Sequence, residues 1–289
     1  MSSLLASKLR WVFLPQNLEL GRLVSRGGDA KLKISLGINP SCSLQFEFGR
    51  STTSRILQCH SDGLSGMKSI RSNYLPPKEI LSIFDAIVET REGKEIASFD
   101  DTYYDLVQDF RLPTTSGKWQ KYVASAAMHL EEVTGGGEVE MDASRIWLKR
   151  GSVRYNMHQT AEGIKKIGIL HRIMRNRRLT PTGSCLLFVD EPETNLYPKA
   201  VVRFAEMLFE YARASFQVYI TTHSYFLLKR LEQLAREHHQ ADHTLLDLRR
   251  SEAGGVTGRF HKLIDGLSDS PIIQQSLALF DEDVRLDLL

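Results

Sequence analysis

The chain is poor in cysteine: among 289 residues there are three, Cys42, Cys59 and Cys185. They form no C-x-x-C pair, and any single disulfide would leave one over. That excludes a disulfide-stapled scaffold and points to a reduced, cytosolic compartment. Long apolar runs are absent too. No window approaches about 18 consecutive apolar residues, so neither a transmembrane helix nor a membrane partner is expected. Net charge is nearly absent: 37 basic against 35 acidic side chains leave +2, which gives no global pull toward nucleic acid. There is no internal repeat and no low-complexity tract. Met1 to Leu18 contains no acid, but it has no apolar h-region and no A-x-A-like cleavage site. It therefore reads as part of a helix rather than a targeting peptide. What remains, 42% apolar and 25% charged, is an ordinary globular composition.

Along the chain, the first part alternates apolar and polar residues with period two. Leu32, Ile34 and Leu36, then Cys42 to Phe48, then Ile56 to Cys59 predict an antiparallel sheet with one solvated face. From Tyr74 the pattern changes. Pro77 suits a first helical turn, and Ile80, Leu81, Phe84 and Ile87 follow at helical spacing. Further helices are expected from Asp100 or Asp101 to Phe110 and from Lys118 to Val133. Strands return over 138–157, with Val139, Met141, Ile146, Leu148 and Val153 expected to face inward. Then helix 161–176, strand 185–190, helix 198–213, strand 216–221, helix 224–237, strand 243–248 and helix 271–286 alternate. This predicts a mainly parallel sheet covered on both faces. The expected division is a β lobe over 1–74, a helical lobe over 75–136 and a core over 137–289.

The strongest local signal is Leu186-Leu-Phe-Val-Asp-Glu-Pro-Glu-Thr-Asn-Leu-Tyr-Pro198. An apolar run ends in two adjacent carboxylates, Asp190 and Glu191, which need a polar crevice. In open α/β sheets that crevice lies beyond the carboxyl ends of the strands. The next strand, Phe216 to Ile220, runs into Thr221-Thr-His-Ser224. A short crossover makes the two strands parallel and places His223 near the acid pair. Upstream, Thr160-Ala-Glu-Gly163 opens an amphipathic helix, with Thr160 suited to an N-cap and Glu162 to the positive end of the dipole.

This constellation resembles the ABC/SMC class of P-loop ATPases over about residues 9–289. More narrowly, it resembles bacterial AAA-family ATP-binding proteins often found in phage defence. The resemblance implies an α/β P-loop NTPase of ABC-ATPase-head type, with a mainly parallel core sheet, an N-terminal antiparallel β lobe and a helical insertion. It implies ATP and Mg²⁺ as cofactors. Asp190 would hold Mg²⁺ through water, Glu191 would polarise the attacking water, and His223 would contact the γ-phosphate as the switch histidine. Asn195 falls in the D-loop. Thr160, Ala161, Glu162 and Gly163 occupy the signature position, which reaches nucleotide on the opposite subunit, although Ala161-Glu162-Gly163 replaces the usual Ser-Gly-Gly. An ordinary capped core helix is the equal alternative there. The implied partner is a second copy, across a nucleotide sandwich, with an effector protein downstream.

One element of that family is missing. A phosphate cradle needs G-x-x-x-x-G-K-[ST], and no such segment occurs in the sequence. Gly63-Leu-Ser-Gly-Met-Lys-Ser69 has the wrong spacing. An N-terminally truncated frame is the expectation; a degenerate subunit, or one complemented by an upstream chain carrying the cradle, is the alternative. The rival functions are a DNA-binding repair factor of SMC kind and a non-catalytic interaction subunit. The first would use the basic run Lys165, Lys166, Arg172, Arg175, Arg177 and Arg178, which also suits a helix C-terminus without any ligand. A metal-dependent nuclease ranks last. His238, His239 and His243 read as solvated, Asp101 as a helix cap, and Glu79 as a first-turn acid rather than a Q-loop residue.

Overall fold

The computed structural model describes all residues except 27–29, 57, 65–69, 94–97, 116–120, 143–144, 177–184, 252–254, 268 and 288–289. Most of the Gly63–Ser69 loop, the helix start expected at Lys118, and Arg177 and Arg178 thus lie outside the described residues. The chain divides into two compact units: residues 1–70 with 83–109, and residues 71–82 with 110–289.

In the first unit, α1 (Ser2–Phe13) is followed by the antiparallel sheet β1 (Lys31–Asn39), β2 (Cys42–Gly49) and β3 (Gln58–Asp62), in that order. The period-two pattern works as expected. Phe46 and Phe48 stand on one face of β2 and pack with Ala6, Leu20, Val24 and Ile56. The short helix α2 (Phe84–Val88) follows a 3-10 turn over Leu81–Ile83. Pro77 lies before it in a bend, so the helix starts later than the proline signal suggested. Helix α3 (Asp101–Arg111) corrects a cap. Asp100, not Asp101, caps it, accepting from the Thr102 N–H at 2.8 Å. Asp101 is instead buried between Arg91 at 2.6 Å and Lys8 at 3.1 Å.

The second unit holds the predicted α/β core. Strands β4 (Arg71–Leu75), β8 (Cys185–Asp190) and β9 (Phe216–Thr221) form a parallel sheet in the order β4-β8-β9. A separate antiparallel meander contains β5 (Glu138–Asp142), β6 (Arg145–Arg150) and β7 (Val153–Asn156). Helices α4 (Lys121–Thr134), α5 (Glu162–Arg175), α6 (Pro198–Arg213) and α7 (Tyr225–Glu237) belong to the same unit. So do β10 (Thr244–Arg250), β11 (Val256–Lys262) and α8 (Pro271–Asp287); the strand expected at 243–248 does not join the parallel sheet but pairs antiparallel with β11 in a separate hairpin. Pro198 opens α6 at its first turn, where its missing N–H costs nothing.

Strands β4 and β11 were not anticipated. Arg71-Ser-Asn-Tyr-Leu and Val256-Thr-Gly-Arg-Phe-His-Lys show no clean alternation. Val153 is exposed instead of inward. The central sheet also departs from expectation. One face, carrying Leu75, Cys185, Leu187, Val189 and Phe216, is buried. The other carries Leu186, Phe188 and Asp190 of β8 and Gln217, Tyr219 and Thr221 of β9, and it is only half covered by the described residues. Phe188 and Tyr219 stack there with centroids 4.9 Å apart.

That asymmetry sets a measurable difference. Leu187→Ala should cost about 2–5 kcal/mol in urea unfolding, the usual range for a fully buried leucine. Leu186→Ala, one residue away on the half-covered face, should cost less than half as much. Equal losses would mean that both faces are closed.

Candidate functional site at the carboxyl edge of the parallel sheet

Strands β8 and β9 run side by side in register, Asp190 opposite Thr221, so both end at the same edge. The Asp190 carboxylate is held by two hydroxyls on its flanking strands. Tyr74 of β4 donates to one oxygen at 2.9 Å, and Thr221 of β9 donates to the other. Both bonds leave the carboxylate in one orientation on the half-covered face.

Glu191 leaves the strand abruptly. Its φ is +43°, a left-handed value uncommon for a residue with a side chain. Its N–H still donates to the Thr221 carbonyl at 3.0 Å, which anchors the turn to β9. The turn swings the Glu191 carboxylate to 3.5 Å from His223 Nδ1. His223 lies in the segment joining β9 to α7, whose N-cap Ser224 accepts from the Leu227 N–H. The three residues expected to meet, Asp190, Glu191 and His223, thus do meet at one sheet edge.

Glu193 was not singled out from the sequence, yet it organises this edge. Its side chain is 9% exposed and its Oε1 accepts from the Thr222 hydroxyl at 2.7 Å and the His223 N–H at 2.9 Å. The same oxygen lies 3.4 Å from His223 Nδ1. His223 therefore sits between two carboxylates. Glu193 Oε2 is buried with no hydrogen-bond partner among the described residues. The available signal was Pro192, which breaks the strand and lets the chain fold Glu193 beneath the turn.

Beneath the acid pair lies Lys166. It is 2% exposed, and its ammonium donates to the carbonyls of Glu191 at 2.6 Å, Asp190 at 3.3 Å and Pro77 at 3.3 Å. Burial pushes its pKa down to about 8, against the attraction of Glu193, Asp190 and Glu191. Its neighbour Lys165 is also buried, 2.6 Å from Ser82 Oγ and 3.7 Å from Glu79. Glu79 caps the turn after it, accepting from the N–H groups of Leu81 and Ser82, as a first-turn acid does. Arg172, likewise buried, donates to the Phe110 carbonyl at 2.7 Å. Three members of the basic run, Lys165, Lys166 and Arg172, are therefore structural rather than part of a solvated cationic face.

The start of α5 differs from the sequence reading at one point. Ala161, not Thr160, is the N-cap residue, and the Thr160 hydroxyl donates to the Met157 carbonyl at 2.8 Å. Glu162 reaches Asn195, bonding its side-chain amide. Gly163 allows this approach: a Cβ there would lie 2.4 Å from the Asn195 carbonyl oxygen and 2.6 Å from Leu196 Cδ2. Asn195 itself has a φ of +63°. Glu162, Gly163 and Asn195 thus form one packed edge of the chain.

Among the described residues no helix is long and apolar enough to cross a membrane.

Residues 155–229 match the family model described as "AAA domain, putative AbiEii toxin, Type IV TA system". No curated protein matches the sequence. Among solved structures, the chain is similar to an SMC head bound to the C-winged helix domain of ScpA. That structure is 11% identical with a TM-score of 0.50, over 91% of this chain and 87% of that one. An SMC head with an extended coiled coil bound to the C-terminal domain of ScpA, from Pyrococcus furiosus, is 9% identical with a TM-score of 0.49, over 97% of this chain and 89% of that one. The SMC head domain of Thermotoga maritima is 13% identical with a TM-score of 0.42, over 88% of this chain and 83% of that one. The fold argument rests on the first of these.

Two outcomes test the local geometry. Gly163→Ala should destabilise the protein by about 1–3 kcal/mol, because the obstacle is backbone and cannot rotate away; an unchanged melting temperature would show that the contact is loose. For Lys166, the folded pKa of about 8 lies below the ordinary 10.5. The unfolded chain therefore binds more protons between these values, and stability should rise with pH across that window. The stability of the native protein relative to Lys166→Met should grow from pH 8 upward. A flat difference would mean that the amine is not desolvated. Residues 155–229, which match that AAA family model, hold Asp190, Glu191, Glu193, His223, Lys166 and the start of α5, and the fold of the chain is similar to that of an SMC head.

Proposed function

We propose that this chain is an ATPase module of ABC/SMC type that works as a nucleotide-sandwiched homodimer controlling an effector in the cytoplasm, in a setting such as phage defence. The observation that carries the reading is the meeting of Asp190, Glu191 and His223 at the ends of two adjacent parallel strands, inside the AAA-matching segment. The donor set at this edge, carboxylates and hydroxyls, suits a hard cation such as Mg²⁺. Asp190 would hold it through water, with its carboxylate already oriented by Tyr74 and Thr221. Bound Mg²⁺ would supply charge neutralisation on the nucleotide phosphates. Glu191, its main chain fixed on Lys166 and Thr221, polarises the attacking water. His223, held through its N–H by Glu193, contacts the γ-phosphate. Across the dimer, Thr160, Ala161, Glu162 and Gly163 with Asn195 face the partner's nucleotide as one pre-packed edge.

The residues do not supply a full phosphate site, because no G-x-x-x-x-G-K-[ST] segment occurs in the sequence. The reading therefore includes a cradle contributed by polypeptide outside these 289 residues, from an upstream segment or a separate chain. The half-covered face beside Asp190, with its Phe188–Tyr219 stack, is where such a segment would seat. The DNA-binding alternative loses its main support, since Lys165, Lys166 and Arg172 are buried.

The test is ATP turnover. Loss of one preorganised donor can cost about 3–4 kcal/mol of transition-state stabilisation, so loss of a whole cradle should leave these 289 residues almost inactive alone. Supplying the cradle from an upstream extension should restore hydrolysis, and Glu191→Gln should then abolish it. Robust turnover by the 289 residues alone, or a restored activity indifferent to Glu191→Gln, would sink the reading.

A further inference from the structure

Two surfaces of the second unit carry apolar side chains that nothing among the described residues covers. The first is α8. Ile273 is buried with Leu228, Ala235, Leu263 and Leu267, but from Leu277 onward every described residue of the helix is exposed. Leu277, Phe280 and Val284 continue the line of Ile273 at spacings of four, three and four, the spacing of a helix-packing seam. Phe280 is 64% exposed. A helical stretch this short is marginal in water without packing, so its seam calls for a partner. Asp281, Glu282, Asp283 and Asp287 against Arg285 give this stretch a net charge of four minus one, −3.

The second surface is the hairpin β10–β11. Leu246 lies opposite Phe260, Leu248 opposite Gly258, and Arg250 opposite Val256, so these residues share one face. All are exposed, Phe260 to 74%. Gly258 lets Leu246 lie across the ribbon, since a Cβ there would approach Leu246 Cδ1 to 2.7 Å. The result is a flat apolar strip with Arg250 and Lys262 on the same face. On this face Arg250 and Lys262 give +2, whereas Arg249 and Arg259 lie on the opposite face, where both reach Asp269. A two-stranded ribbon is itself marginal without something packed on it.

One chain thus carries an acid-flanked apolar ridge and a base-flanked apolar strip, each uncovered. The Ile273 anchor fixes α8 in an orientation that leaves both exposed within a single copy. We infer that the outer face of β10–β11 receives α8 of a second copy of this chain, reciprocally about a two-fold axis. Such an isologous contact uses each patch twice and sets the acidic α8 against Arg250 and Lys262 of the ribbon at both ends. It needs no nucleotide, which separates it from the sandwich proposed above.

Sedimentation of the nucleotide-free chain in chelator should show a dimer. Phe280→Glu and Phe260→Glu should each shift it toward monomer with an unchanged circular dichroism spectrum, because both side chains are already exposed. The pair Arg250→Glu with Lys262→Glu should weaken the dimer by about tenfold or more. Adding Asp281→Lys and Asp283→Lys to that variant should restore it, which no folding defect would do. A monomeric native chain, a dimer that forms only with nucleotide, an open series of larger oligomers, or absence of rescue would overturn the inference.

Discussion

Everything at this sheet edge depends on one buried cation. Lys166 places an ammonium under the end of β8, where Asp190, Glu191 and Glu193 crowd three carboxylates into four residues. Burying an ammonium is costly, and burial is the dominant influence on its pKa. The cost is offset by the carbonyls of Asp190 and Glu191 where β8 ends and of Pro77 just after β4. Two of these bonds tie α5 to the end of β8, and the third ties it to the segment after β4. Lys166 thus joins the helix start to the carboxylate edge, alongside the Glu162–Asn195 bond.

Outward from Lys166 the restraints become polar and local. Two hydroxyls on flanking strands aim Asp190, the left-handed turn at Glu191 redirects its carboxylate, and Glu193 holds the backbone of His223. Such strain in a non-glycine residue persists only where surroundings over-determine it. Here the Thr221 carbonyl above and the Lys166 amine below both grip the Glu191 peptide groups. The side chains left exposed are those of Glu191 and His223, the two for which catalytic roles are proposed.

Much of this edge was legible in the sequence because its signals are local. The apolar run into Asp190 and Glu191, the Pro198 helix start and the strand into Thr221 locate β8, α6 and β9 residue for residue. Lys165, Lys166 and Arg172 were not legible. A count of basic residues shows charge, whereas their burial depends on carbonyl acceptors, which every residue owns and no side chain announces. Helix α5 is buried almost all round, so its amphipathic pattern understated how much of it faces protein. Glu193 stayed hidden for the same reason, since its partners are a hydroxyl and a backbone N–H some thirty residues away. The caps at Asp100 and Ala161 each fell one residue from the expected position, where residue type alone cannot decide.

The half-covered face of the sheet joins two shortfalls that look separate. Strand β8 is apolar on both faces, the composition of a strand meant to be closed on both. Only one face is closed by the described residues, and Asp190 stands on the other, in line with Leu186 and Phe188. Under the proposed function, the phosphate donors that no G-x-x-x-x-G-K-[ST] segment supplies would be needed on the same side that the described residues leave half covered. One segment laid over Phe188 and Tyr219 would meet both needs, because packing on that stack brings its backbone to the edge where Asp190 and Thr221 end. Under the proposed function, apolar side chains on this face would be as much a part of the nucleotide site as the carboxylates. They would seat the segment that brings the donors and keep water from the charge beside Asp190.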